Sequence, residues 1–348
     1  MTIYILLFLF FIYISWQYPN RKKLGYFSLA LLFFLSAFRG ERVGTDTLHY
    51  LVLENALNRM SMSSYDMWDR PEIIYTSLST YLLEKDVSPQ VLVIFFSAIT
   101  IIFLWLTIVR SKINLILSSL VFLLYFYLLS FNISRQVAAV SILLFGYTFL
   151  IYDKRSRWFF LCVIFATMIH AASAFSIVLW FVSSRKFNKD TLIWVVSFIF
   201  IINLISPIPL LGLLFELIPN NFFFTKYSGN TNVIESNLFG KLIEIFSFVP
   251  LLLAFVIKAD VKTNAKDNIF YLGLLFMIFT SNIDSNVARI SLIFTIFNVV
   301  YLGELFMSRK YSLNVSVLFW FIVSFNTFLR LYDAASGKGQ IVPYYLMF

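Results

Sequence analysis

Apolar runs close to the length of a bilayer crossing recur along this whole chain, and no other feature limits its fold so tightly. Residues 91–109, 115–129 and 192–205 are three of them. With flanking residues each approaches the ~20 residues that a helix needs to cross the hydrocarbon core. Inside lipid the backbone must satisfy its own polar groups, which leaves helices and closed barrels. The runs are continuous rather than alternating, so barrel strands are excluded. Composition agrees: 60% of residues are hydrophobic, 20% aromatic and only 13% charged, with a mean hydropathy of +0.84. A soluble globular domain is excluded. The expectation is an all-α, polytopic integral membrane protein.

The formal net charge of +9 does not indicate nucleic acid, because of where the charge sits. Basic residues gather between apolar runs, at Arg21/Lys22/Lys23, Arg110/Lys112, Lys154/Arg155/Arg157, Arg185/Lys186/Lys189, Lys258/Lys262/Lys266 and Arg309/Lys310. They occupy every second loop, as the positive-inside rule requires. With those clusters in the cytoplasm, about twelve transmembrane helices thread the bilayer. They fall near 3–18, 25–38, 89–109, 114–130, 136–152, 157–169, 171–183, 190–206, 241–257, 268–282, 288–307 and 312–330. Both termini lie outside, and 1–348 reads as a single transmembrane domain. Two moderate extracytoplasmic segments remain, about 39–88 and 206–240. Residues 71–83 are open to a second reading, as a re-entrant or interfacial helix, and 210–218 reads as an interfacial helix. The first run lacks a basic leader and a cleavage site, so it is read as a retained span. The single cysteine, Cys162, lies in an apolar run and excludes an internal disulfide. No metal-ligand spacing occurs, and neither metal nor cofactor is expected.

Charge on the expected outer face needs another explanation. The stretch Arg39-Gly40-Glu41-Arg42-Val43-Gly44-Thr45-Asp46-Thr47-Leu48-His49-Tyr50 is dense in ionisable residues beside apolar helices, where they are costly and usually functional. Arg39, Arg42, Arg59, Arg70, Arg135, Arg289 and Arg330 all fall outside. Arginine offers a planar fork suited to phosphate oxygens. Arg135 and Arg289 also stand at outward helix N-termini, which favour anions. Taken singly, each arginine is equally well explained by snorkelling to headgroups or by pairing with an acid such as Asp284; as a set they indicate an anion site. His170 has two open readings, a general base near neutral pH or a packed histidine at an interhelical turn, while His49 reads as a surface residue. Asp46 places a carboxylate in a glycine turn. Glu72 opens a short helix, where favourable interaction with the helix dipole is the simple explanation. Asp66, Asp69 and Glu72 share a helical spacing more typical of a solvated face. Glu304, near an inner helix end, reads as structural.

These residues resemble a family. Phe38-Arg39, Val43-Gly44-Thr45-Asp46-Thr47 and Tyr50 are similar to the signature after the second span of Wzy-type O-antigen and exopolysaccharide repeat-unit polymerases of the EpsG family. Residues 131–138 (Phe-Asn-Ile-Ser-Arg-Gln-Val-Ala), 169–174 (Ile-His-Ala-Ala-Ser-Ala), Ala288-Arg289-Ile290 and Val342-Pro343-Tyr344 continue the resemblance in the same order. It implies a metal-independent glycosyltransferase in the bacterial plasma (inner) membrane, with its active site on the extracytoplasmic side. A glycan chain on undecaprenyl diphosphate is transferred to the non-reducing end of a new lipid-linked repeat unit. The implied partners are the undecaprenyl-diphosphate-linked oligosaccharide, membrane lipid, and a chain-length regulator and flippase of the same pathway; nucleic acid is not among them. The expected catalytic set is Asp46, His170, Arg135 and Arg289, with the arginines neutralising the departing diphosphate and His170 or Asp46 taking the acceptor's proton. The expected substrate-binding set is Arg39, Arg42, Tyr50, Glu72, Gln136, Arg330 and Tyr344. Outer aromatics, namely Tyr50, Tyr65, Trp68, Phe222 to Phe224 and Tyr227, suit sugar stacking or a prenyl groove, or equally an aromatic belt. An O-antigen ligase, or another glycosyltransferase using lipid-linked sugars, is the nearest alternative, although a ligase concentrates its outer residues in one large loop. A lipid-linked oligosaccharide flippase, of a different class, would carry charge through its helix midplanes and show internal repeats.

Overall fold

Where the apolar runs are long, the backbone closes its hydrogen bonds within helices, as a nonpolar surrounding demands. The computed structural model describes residues 1–45, 47, 72–153, 156–205, 238–280, 289–309, 312–337 and 341–346. The order begins with α1 (Thr2–Gln17), α2 (Lys22–Ala37), α3 (Ile73–Glu84) and α4 (Gln90–Ser111). Then α5 (Leu115–Phe122) runs into a π-helical turn (Leu123–Tyr127) and a 3₁₀ turn (Leu129–Phe131), and α6 (Ser134–Thr148) into a second π-helical turn (Phe149–Asp153). There follow α7 (Ser156–Ile169), a 3₁₀ helix (Ala171–Ile177) leading to α8 (Val178–Ser183), α9 (Lys189–Ile205), α10 (Leu238–Lys258) and α11 (Ala265–Thr280). The chain closes with α12 (Ser291–Thr295), α13 (Asn298–Leu305) and α14 (Leu313–Ala335). No strand occurs among the described residues, only isolated bridges at Arg39–Leu346 and Asn188–Lys262.

Local signals set several boundaries. Asn114 caps α5, its side chain accepting from the Ile116 and Leu117 amides, and Ser312 caps α14 through the Val315 amide. Lys112, in the left-handed region at φ 54°, ends α4. Helix α3, with 12 residues, spans only about 18 Å, short of the ~30 Å hydrocarbon core.

Four segments among the described residues are long and apolar enough to cross a membrane: Gln90–Ser111, Ser134–Asp153, Ser291–Arg309 and Leu313–Ala335. The chain is a multi-pass membrane protein. Its outer surface is apolar, with Leu6, Trp194, Phe198, Ile205 and Val317 all exposed, the inverse of a water-soluble surface. Helix α6 and the α12–α13 pair are interior, whereas α14 is peripheral. Helix α6 packs most extensively against α4 and α7. Aromatic stacks join α11 to α12 and α13, with Phe276 and Phe294 centroids 4.0 Å apart and Phe270 and Tyr301 centroids 3.9 Å apart.

Bonds between sequence-distant connections fall into two sets. In one, Asn114 Nδ2 donates to Pro19 O at 2.8 Å, Lys189 Nζ to Val256 O at 2.7 Å, and Lys258 and Lys266 meet Glu304 at 2.9 and 3.0 Å. Arg110 pairs with Asp153, and Arg309 donates to Ser15 O. These are the loops rich in lysine and arginine. In the other set, Thr45 N donates to Asn132 Oδ1 at 3.0 Å, Gly40 N to Tyr345 O at 2.8 Å, and Glu72 meets His170 at 2.8 Å. The alternation of the basic clusters along the sequence is thus matched by a physical separation of polar groups into two ends. Glu304, read from sequence as structural, holds two lysines of the first end.

The interior break between α12 and α13 has a local cause. The Phe297 amide bonds to Phe294 O at 3.4 Å, one residue short of the α-helical partner Ile293. Ile293 O is taken instead by the buried Tyr147 hydroxyl at 2.6 Å. Replacing Tyr147 with phenylalanine removes that donor and keeps the ring, leaving a buried carbonyl unpaired. Y147F is expected to lose about 1–3 kcal/mol of stability, read as a lower thermal midpoint in detergent. An unchanged midpoint would show that the Ile293 carbonyl is satisfied by another donor.

Candidate active site

The N-terminus of α6 is where the polar chemistry converges. Arg135 is the second residue of α6, a position where the helix dipole disfavours a cation. Glu72, just before α3, supplies the compensating charge. Its Oε2 takes the Arg135 guanidinium in an ion pair, and its Oε1 lies 2.8 Å from His170 Nδ1. Arg135 also lies over the Tyr75 ring, 4.1 Å from its centroid. Tyr75 stands three residues after Glu72, and so on the same helical face. His170 caps the 3₁₀ helix after α7, its amide bonded to Ala166 O at 2.8 Å. The three charged or titratable side chains are 19% (Glu72), 31% (Arg135) and 23% (His170) exposed. They are held, yet within reach of a ligand.

Gln136, next along α6, donates from Nε2 to Arg289 O at 2.6 Å. This bond places the half-buried Arg289 beside the same helix start, immediately before α12. Glu72, Arg135, Gln136, His170 and Arg289 therefore assemble at one end of the bundle from four separated stretches of sequence. Burial alone would raise the Glu72 carboxyl; the hydrogen bond to His170 and the charge of Arg135 outweigh it and hold the group below its ordinary value.

The opening motif lies alongside. Thr45 N donates to Asn132 Oδ1 at 3.0 Å, three residues before Arg135. Gly44 has φ 85°, and a Cβ there would overlap the Phe131 carbonyl, so the turn needs glycine. Arg39 is fully buried. Its Nε donates to Thr47 Oγ1 at 2.8 Å and its NH1 to Ser36 O at 2.9 Å, with Phe131 below the guanidinium at 4.9 Å. Arg42 is exposed, and its amide donates to the Tyr345 hydroxyl at 2.8 Å. Tyr344 donates to Leu35 O at 2.7 Å. Arg330 stands apart on α14, where its Nε donates to Leu124 O in the π-helical turn at 2.9 Å and its NH1 lies 3.5 Å from Asp333.

Asp46 and Tyr50 lie outside the described residues. So do His49, Arg59, Tyr65, Asp66, Trp68, Asp69, Arg70, Phe222 to Phe224, Tyr227, Asp284 and the stretch read as an interfacial helix at 210–218. Tyr75 and Gln90 were not singled out by sequence, and Thr47 and Asn132 entered only as members of the quoted motifs, with no role of their own. Only Tyr75 had a usable signal, its three-residue spacing from Glu72. Among the described residues no group of three or more His, Cys, Asp or Glu side chains is placed to hold a metal.

The Glu72 carboxyl contributes stability at any pH above its ordinary value of 4.5, and that contribution is lost as pH falls through its lower folded value. E72Q is expected to unfold more readily than the wild-type chain at pH 7, by about 2 kcal/mol. The difference should shrink steadily below pH 4.5. Thermal unfolding of both chains across that range is the check, and a gap independent of pH would contradict it.

The EpsG family model matches residues 22–346, which takes in every residue of this cluster. Neither a curated protein nor a solved structure matches the chain.

Proposed function

The chain belongs to the EpsG family, and from that premise we propose that it is a glycosyltransferase that polymerises exopolysaccharide or O-antigen repeat units at the outer face of the bacterial plasma membrane. In this reading the chain makes about twelve passes, with the basic end in the cytoplasm and the Glu72–Arg135–His170 end outside. The donor is a glycan chain on undecaprenyl diphosphate. The acceptor is a hydroxyl at the non-reducing end of the next lipid-linked repeat unit. The acceptor oxygen bonds to the anomeric carbon as the carbon–oxygen bond to diphosphate breaks. The electron pair leaves on phosphate, and the acceptor's proton passes to a base.

The observation that carries this reading is the convergence of Arg135, Arg289 and His170 around one helix N-terminus. The leaving diphosphate needs cations aimed at its developing charge, the term that usually dominates such catalysis. Arg135 and Arg289 supply them, reinforced by the α6 dipole. His170 or Asp46 is the base. Arg42, exposed where Arg39 is buried, orients the second lipid diphosphate, while Arg39 and Tyr344 frame the motif. Arg330 acts on the packing of α14 against α5. No metal or cofactor takes part, and a chain-length regulator and a flippase act beside it.

Deleting the protein in its native host should abolish the long glycan ladder on electrophoresis while a single capped unit persists. Loss of all lipid-linked glycan on the outer face would point to a transporter instead. Complementation with R135A should leave chain extension lower by at least on the order of 10²-fold, at a normal level of folded protein. A full-length ladder from R135A would refute the role given to that residue.

A further inference from the structure

We propose that Glu72 is a positioning residue that fixes the tautomer of His170, and so makes Nε2 the atom that takes the acceptor's proton; this rests on the polymerase reading above. An ionised carboxylate accepts hydrogen bonds and cannot donate them. Glu72 Oε1 lies 2.8 Å from His170 Nδ1, so Nδ1 carries a hydrogen whether the ring is neutral or charged. The lone pair of the neutral ring is then on Nε2. The other oxygen of the same carboxylate holds Arg135, whose guanidinium rests on Tyr75. One side chain thereby sets the base and the cation at a fixed spacing.

That spacing suits a transfer in which charge moves at both ends of one reacting centre. The acceptor hydroxyl loses its proton to Nε2 as its oxygen bonds to the anomeric carbon. The bond from that carbon to the diphosphate oxygen breaks, and the electron pair departs on phosphate beside Arg135. Glu72 touches neither substrate. Its effect passes through its two neighbours, in the way a carboxylate orients the histidine of a hydrolytic triad. Favourable interaction with the α3 dipole alone would give Glu72 no influence over which ring nitrogen is protonated, and this separates the two accounts.

The chain has two histidines, so H49Q leaves His170 as the sole source of an imidazole signal. Full-length H49Q labelled with ¹⁵N-histidine, in lipid nanodiscs, should show a protonated Nδ1 and an unprotonated Nε2 at a pH where the ring is neutral. Adding E72Q should abolish that single tautomer. In a polymerisation assay E72Q should lower kcat on the order of 10²-fold with KM nearly unchanged, and E72D should recover part of the loss. An unprotonated Nδ1 in H49Q overturns the proposal without any variant at Glu72, so a poorly folded E72Q cannot shield it. So does an E72Q chain that keeps both tautomer and turnover. The expected tautomer in H49Q, together with a wild-type chain that makes no polymer, instead overturns the polymerase reading, and with it the catalytic role of Nε2. A polymerising chain with the opposite tautomer overturns the role of Glu72 alone.

Discussion

A guanidinium shielded from water must find its acceptors inside the protein, and at Arg39 that demand draws separate parts of the chain to one point. Its Nε and NH1 reach Thr47 in the opening motif and Ser36 at the end of α2, and its face lies over Phe131. Its own carbonyl accepts from Gln90 at the start of α4 at 3.2 Å, and its backbone pairs with Leu346. Phe131 belongs to the turn that leads through Asn132 into α6. Arg39 thus packs against the turn from which Arg135, and with it the cluster on Glu72, departs. A residue that reads as a ligand clamp in sequence is the frame on which the neighbouring site is set.

The interior helices depart from regular geometry where another element supplies the compensating bond. The π-helical turn after α5 receives Arg330 at Leu124 O, and the break between α12 and α13 receives Tyr147 at Ile293 O. Irregular backbone at membrane depth is tolerated only when protein groups meet its polar atoms. These side chains stand 206 and 146 residues from their acceptors, so each local deviation is held by long-range packing. Arg135 lies at the start of α6, which carries Tyr147, and Arg289 lies just before α12, which ties the polar cluster to the packing beneath it.

Hydrophobic run length made the helices legible in sequence, because burial in lipid acts on each run separately. Run 89–109 became Gln90–Ser111, and run 190–206 became Lys189–Ile205. The alternation of basic loops likewise anticipated the two polar ends. Arg135 and His170 stood out because charge is rare in this chain. Their common partner did not: Glu72 is 63 residues from one and 98 from the other, and a carboxylate at a helix start already has a sufficient local explanation. The burial of Arg39 was equally hidden, since only the assembled fold brings Ser36, Thr47 and Phe131 around it. Local periodicity is encoded residue by residue, whereas a polar cluster built across helices is a property of the closed bundle.

The short C-terminal stretch 341–346 lies against the beginning of the chain, with Tyr345 on Gly40 and Arg42, Tyr344 on Leu35, and Ile341 O accepting from Tyr4 at 2.7 Å. During synthesis the motif at 39–47 is made well before residues 341–346 that complete it. Every intervening helix must be inserted before those neighbours arrive. The early motif thus waits, unfinished, until the late residues reach it, and a chain arrested partway into the membrane carries its helices without a completed rim. Maturation of this face is coupled to the insertion of every helix between the two stretches.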